Sequence, residues 1–157
     1  MYTNKEKLSV SGLYRPDGKP MPNGLIIRKL DADDIQEAAP MYPGFDNPDY
    51  IVDRIEAGAV YGAFLSDNTA NDTINTLAGI IGIHEEGSIG MLYVKPEYRH
   101  RKLATALETY AFNRALENGW IPYGQIIAGN EASMRLQESM GLHFSKSSVY
   151  WMTKNNA

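Results

Sequence analysis

The sequence predicts a single α+β, or mixed α/β, sandwich whose central sheet is mostly antiparallel with one parallel pair near its end. Three observations carry this. The elements run β α α β β β α β α β along 157 residues, a length that suits one core and leaves little room for a second. Short polar turns join the middle strands, which pairs them antiparallel. One helix of crossover length separates two later strands, which makes those two parallel with a right-handed connection. Residues 1–157 are expected to form one domain, with 1–23 as an N-terminal arm and 24–157 as the core.

Taken in order, Met1 to Asn23 contains YRPDGKPMPNG and reads as an extended arm with turns. Gly24 to Leu30 is a first strand, Asp31 and Asp34 cap a short helix through Ala39, and Pro40 stops it. PMYPGFDNPDY follows, with Tyr42, Phe45 and Tyr50 among prolines and no period. It reads either as a loop tucked against the core or as a substrate-facing loop. Asn47 with Pro48 opens a helix that Gly58 closes. Ala59 to Leu65 is a strand, SDNTANDT a polar hairpin loop, and Ile74 to Ile83 the antiparallel return. HEEG, His84 to Gly87, turns the chain into a strand from Ser88 to Val94. Regular alternation along it puts Ile89, Met91 and Tyr93 on one face and Gly90, Leu92 and Val94 on the other.

Leu103, Ala106, Leu107, Tyr110 and Ala111 then share one face of a helix that ends at Asn118 and Gly119. Trp120 to Ala128 is expected to run parallel to Ser88 to Val94. Asn130 caps a last helix through Met140, Gly141 ends it, and Leu142 to Thr153 closes as a strand or strand pair. An exposed closing strand could pair across a homodimer.

Composition narrows the function. Net charge is −4 and the sequence pI about 5.3, so bulk charge gives no basis for nucleic-acid binding. The chain lacks cysteine, which excludes a thiolate nucleophile, and His84, His100 and His143 fit no metal-ligand spacing, so no metal site is expected. The first thirty residues read as neither signal nor transit peptide, and no apolar run approaches membrane-spanning length. A cytoplasmic protein that does not engage a membrane is the expectation.

Against that acidic background MLYVKPEYRHRKLATALETYAFNRAL, Met91 to Leu116, is a local exception. A strand ends at Pro96, four cations follow (Arg99, His100, Arg101, Lys102), and a helix begins at Leu103. The first N–H groups of a helix lack intrahelical partners and the dipole is positive there, so cations at that point make a phosphate site. A solvated basic face is the alternative.

GSIGMLYVKPEYRHRKLATAL and PYGQIIAGNEASMRLQESMGL together resemble the core of the GNAT superfamily of N-acetyltransferases, most closely its glycine N-acyltransferase-like branch. The resemblance covers Ser88 to Leu142 and implies a GNAT-like sandwich with helices on both faces of the sheet. It implies acetyl-CoA, or another acyl-CoA, as co-substrate. Arg99, His100, Arg101, Lys102, Leu103, Ala104 and Thr105 would wrap the pyrophosphate. Leu92, Tyr93 and Val94 would meet the pantetheine and the thioester carbonyl, with a backbone N–H as oxyanion donor. Asn130, Ser133 and Gln137 would lie near the cofactor's arm, although Asn130 serves equally as a helix cap. Lys102 stands where the family usually has glycine, and a side chain there disfavours positive φ, so an altered loop is expected.

The implied reaction is direct attack of an amine, on a small molecule or a peptide, upon a thioester. An alkyl ammonium with a pKa near ~10.4 is deprotonated about once in a few thousand molecules at neutral pH, so a base must take its proton. Many members carry a Tyr acid seven residues after the Asn130 position, and some a Glu base five before it. Here those positions hold Gln137 and Gln125. Candidate bases are Glu86, Glu85 and His84, which equally suit a solvated turn. Candidate acids are Tyr93 and Tyr150, which equally suit packing. A non-catalytic acyl-CoA-binding module is the alternative to an enzyme.

Overall fold

The computed structural model describes residues 24–150 apart from 44–46, 48, 70 and 71. The expected arm and the end of the expected closing strand lie outside the described residues. Among the described residues four strands form one sheet in the order β1-β2-β3-β4: β1 Leu25–Lys29, β2 Val60–Thr69, β3 Asp72–Ile83 and β4 Ile89–Val94. Every neighbouring pair is antiparallel. The sequence SDNTANDT, expected as a loop, lies mostly within the hairpin strands, because β2 and β3 stay paired as far as Thr69 and Asp72.

Between β1 and β2 a 3-10 turn (Ala32–Asp34), α1 (Ile35–Ala38) and a second 3-10 turn (Ala39–Met41) precede α2 (Tyr50–Glu56). Asp31 and Asp34 form the expected capping box, and Arg28 adds a two-pronged ion pair to Asp34 at 2.7 and 2.8 Å. Pro40 does not stop the helical path. It sits within the second 3-10 turn, at a helix-start position where the missing N–H costs nothing. The Asn47 side chain accepts from the Asp49 N–H at 2.9 Å, and Gly58 leaves α2 at φ 68°.

Helices cover both faces. α3 (Leu103–Glu117) lies on one, where Leu103, Ala106, Leu107, Ala111 and Phe112 pack against Leu25, Ile27, Tyr61, Ala63, Ala78 and Ile81. The other holds Leu30, Val60, Phe64, Leu77 and Ile80 against Ala38, Met41, Ile51 and Ile55. Phe112 and Leu107 are fully buried, and each contributes about 1.5–3 kcal/mol of apolar burial.

The regular alternation expected along β4 is broken by a bulge. Val94 and Tyr93 pair with Gly79 and Ile80, but Gly90 and Ile89 pair with Gly82 and Ile83, so Met91 and Leu92 together oppose Ile81. Met91 has φ 53°, the left-handed conformation of an inserted residue. Beyond the bulge the faces exchange. Ile89, Leu92 and Val94 pack with the α3 cluster, whereas Tyr93 turns to the α1–α2 side. A Cβ on Gly82 would overlap Cε of Met91, so the glycine is the space in which that buried side chain lies.

After α3 the chain departs furthest from expectation. Trp120 to Ala128 meets β4 through one isolated parallel bridge, Ile89 with Gly124, supported by the Ile89 N–H donating to the Tyr123 carbonyl at 2.7 Å. The expected parallel strand pair is therefore not formed. Pro122 lacks a donor, and Gly124 and Gly129 weaken strand propensity on either side. α4 (Glu131–Ser139) follows, with Asn130 Oδ1 accepting from the Ser133 N–H at 3.1 Å and Gly141 beyond its end at φ 72°. Leu142 to Tyr150, the described part of the expected closing strand, forms no strand. Among the described residues no helix is long and apolar enough to cross a membrane.

Candidate functional site

Two cavities share β4. The smaller, about 290 Å³, is lined by Val94, Tyr98, Arg99, His100, Lys102, Leu103 and Ala104. After a 3-10 turn at Pro96–Tyr98 the backbone takes left-handed φ twice, at His100 (62°) and Lys102 (61°), and α3 begins. Lys102 thus adopts the conformation a glycine would take, which corrects the expectation that its side chain keeps φ out of that range. A left-handed non-glycine residue costs roughly 1–2 kcal/mol. Lys102 makes no side-chain cap, and the Ala106 N–H is already bonded to the Lys102 carbonyl at 3.0 Å. Leu103 and Ala104, whose N–H groups lie in the first turn of α3 and so lack intrahelical partners, line this cavity. The Arg99 guanidinium donates through Nε to the Val94 carbonyl at 3.0 Å, which fixes the cation against the end of β4.

The larger cavity is a cleft of about 840 Å³. Its floor is Ile81 with the bulge residues Met91 and Leu92, one wall is Glu108 and Phe112 of α3 with Ser133 and Gln137 of α4, and Gln125 to Ile127 and Asn130 lie beside them. The opposite rim holds Tyr42, Tyr50, His84, Glu85 and Glu86. Tyr50 Oη and His84 Nδ1 are 3.1 Å apart with their rings stacked at 5.8 Å, and the Glu85 N–H donates to the same hydroxyl at 3.3 Å. Burial holds the His84 pKa below its ordinary value; the Glu86 carboxylate opposes that shift and Arg54 adds to it. Arg54 also ties α2 to this turn through Nε to the Ile83 carbonyl at 2.9 Å. Ser88 Oγ donates to Glu86 Oε1 at 2.5 Å, and Tyr123 Oη donates to the Glu86 carbonyl at 2.6 Å. A Cβ on Gly90 would strike the His84 ring, so the glycine leaves room for it.

Sequence reasoning missed one group on the wall. Glu108 is 4% exposed, and its Oε1 accepts from Gln137 Nε2. Burial raises its pKa to about 7 against the smaller opposing effect of that hydrogen bond. Among the described residues Glu108 Oε2 and Gln137 Oε1 have no hydrogen-bond partner. No local pattern marks the pair, because its two members are 29 residues apart and only the packing of α4 on α3 joins them.

Of the residues singled out from sequence, Val94, Arg99, His100, Lys102, Leu103 and Ala104 meet around the smaller cavity. Glu86, Leu92, Asn130, Ser133 and Gln137 line the cleft, with His84, Glu85 and Gln125. Arg101, Tyr93, Thr105 and Tyr150 line neither. The Arg101 guanidinium lies 5.5 Å from the Tyr98 ring centre, Thr105 is half-buried in the first turn of α3, Tyr93 packs on the opposite sheet face, and Tyr150 is 85% exposed.

Solved structures share this fold at low sequence identity. A ribosomal-protein-alanine N-acetyltransferase from Brucella melitensis biovar Abortus 2308 is 19% identical at a TM-score of 0.60, the match covering 83% of this chain and 99% of that one. AAC(6')-Iy, solved with the bisubstrate analog CoA-S-monomethyl-acetylneamine, is 13% identical at a TM-score of 0.59, covering 83% and 98%. A Drosophila protein is 23% identical at a TM-score of 0.60, and there the match covers 78% of this chain but 40% of the longer one. No curated protein sequence matches the chain. The family model for Acetyltransferase (GNAT) family matches residues 27–142, from β1 through α4 and so across both cavities. The chain belongs to the GNAT acetyltransferase family.

Proposed function

We propose that the protein is an acetyl-CoA-dependent N-acetyltransferase that moves its acyl group directly to a primary amine of a small molecule or peptide. The observation that carries this reading is that β4 lines both cavities, Val94 the cationic one and Leu92 the cleft. A diphosphate seats at the first, against Arg99, Lys102 and the N–H groups of the α3 first turn. An extended amide-bearing arm then runs along β4 past the bulge, with Asn130 and Ser133 on its other side. The bulge interrupts the ladder at Met91 and Leu92, so backbone there is available to an oxyanion. Solved relatives of the fold bear on the donor: a CoA-derived analog is bound in AAC(6')-Iy, and a NatC complex is bound to Gag peptide and CoA. The two sequence segments further suggest the glycine N-acyltransferase-like branch.

In this reading the amine enters from the rim of Tyr42, Tyr50 and His84, and Glu86 takes its proton directly or through water. Attack on the thioester carbonyl gives a tetrahedral intermediate, and C–S cleavage releases the thiolate. The test is release of free CoA from acetyl-CoA across a broad panel of amines, amino acids and peptides. Turnover with at least one acceptor is expected, and none would sink the reading. A second reading, a non-catalytic acyl-CoA-binding module, is favoured by Gln125 and Gln137. It predicts that acetyl-CoA raises the melting temperature by linkage while turnover stays absent.

A further inference from the structure

We infer that Glu108 is the proton donor to the departing thiolate, held in register by Gln137. The inference rests on the transferase reading above. Its support is the contrast between the two carboxyl environments of the cleft. Glu85 and Glu86 stand exposed on the rim, whereas Glu108 is 4% exposed in the wall, with no charged side chain hydrogen-bonded to it. Two acids whose surroundings differ in this way divide into base and acid, and the buried one retains its proton.

With Gln137 Nε2 donating to Oε1, the proton of a neutral Glu108 sits on Oε2. Oε2 has no partner among the described residues, as Gln137 Oε1 has none, and a buried donor left unbonded favours a ligand atom that accepts from it. The titratable groups facing Glu108 across the cleft are Tyr42, Tyr50, His84, Glu85 and Glu86. None is among the causes of its shift, which are burial and Gln137 alone.

The step balances. The C–S bond of the intermediate breaks, its electron pair stays on sulfur, and the Glu108 proton moves to sulfur to give the free thiol. Glu108 is left as a carboxylate and regains a proton from water after product leaves. The proton lost by the amine departs separately through the rim base. A thiol of ordinary pKa near ~8.5 is mostly protonated at neutral pH, so the transfer runs downhill.

The experiment compares wild type and Glu108→Gln with acetyl-CoA on one productive acceptor. The variant is expected to lose at least ~10²-fold in kcat, with CoA affinity by calorimetry unchanged. A loss of CoA affinity in place of kcat, or no loss at all, would overturn the inference. A measurement on wild type alone guards against a variant that fails to fold: kcat falls as pH rises through about 7. A kcat that stays level or rises through that pH would overturn the assignment. Absence of turnover by wild type with every acceptor overturns the transferase reading and this inference with it, whereas turnover that Glu108→Gln leaves intact overturns the inference alone.

Discussion

Replacing Glu108 by glutamine is expected to remove a pH dependence from the folding stability. In the folded chain the carboxyl has a pKa of about 7, against 4.5 without its surroundings. Between those values the folded state holds a proton that the unfolded chain has released, so stability falls as pH rises. The stabilisation relative to a buried carboxylate is full below 4.5 and lost by about 7. At ~1.36 kcal/mol per pH unit, the window corresponds to roughly 3 kcal/mol. Glutamine keeps the size and one hydrogen bond to Gln137 but carries no proton to lose. Urea unfolding of both proteins, at a series of pH values from about 4.5 to about 8, reads the difference directly. His84, whose folded pKa lies below its unfolded value of 6.5, stabilises above that pH and less below it. That contribution is present in both proteins and cancels. The expected result is that Glu108→Gln gains on wild type by roughly 2–3 kcal/mol across the series. A stability difference that stays constant with pH would refute the argument that burial keeps Glu108 protonated.

Other perturbations separate the remaining parts of the account. Arg99→Ala is expected to weaken acetyl-CoA binding more at low salt than at high salt, because charge attraction is screened; calorimetry showing equal affinity for the variant and wild type at low salt would refute the phosphate assignment. Leu107→Ala, at a fully buried site on the sheet side of α3, is expected to cost about 2–5 kcal/mol by chemical denaturation. Gly82→Ala is expected to displace Met91 and lower acetyl-transfer activity through the bulge, with the crystal structure of the variant as the check. Lys102→Gly relieves a left-handed residue worth roughly 1–2 kcal/mol but adds unfolded-chain entropy of roughly 0.5–1 kcal/mol. A small net gain in stability with weaker acetyl-CoA binding is the expected outcome of the paired measurements.

The sequence was readable where the determinants are local. The Asp31–Asp34 capping box, the Asn130 cap, the apolar face of α3 and the cationic strand-to-helix turn each depend on residues within one or two turns of one another, and they stand where their spacing put them. Failures occurred where a distant contact decides the outcome. Met91 carries no sign of φ 53°, since neither glycine nor asparagine marks it, and the bulge appears only in the register against Ile81. The expected parallel strand after α3 contracts to one bridge because pairing there depends on Ile89 meeting Gly124 rather than on β propensity in WIPYGQIIA. Glu108 reads on a helical wheel as a polar residue beside the apolar face. Its partner comes from α4, which delivers Gln137 to it.

The central claim, that β4 and the turn into α3 hold one acyl-CoA across both cavities, is tested most directly by backbone amide shifts on titration with CoA. The largest changes are expected at Leu92 and Val94, at Leu103, Ala104 and Thr105, and at Asn130 and Ser133, saturating together with a single affinity. Shifts confined to the Tyr42–Tyr50–His84 rim, or no saturable change at the start of α3, would contradict it.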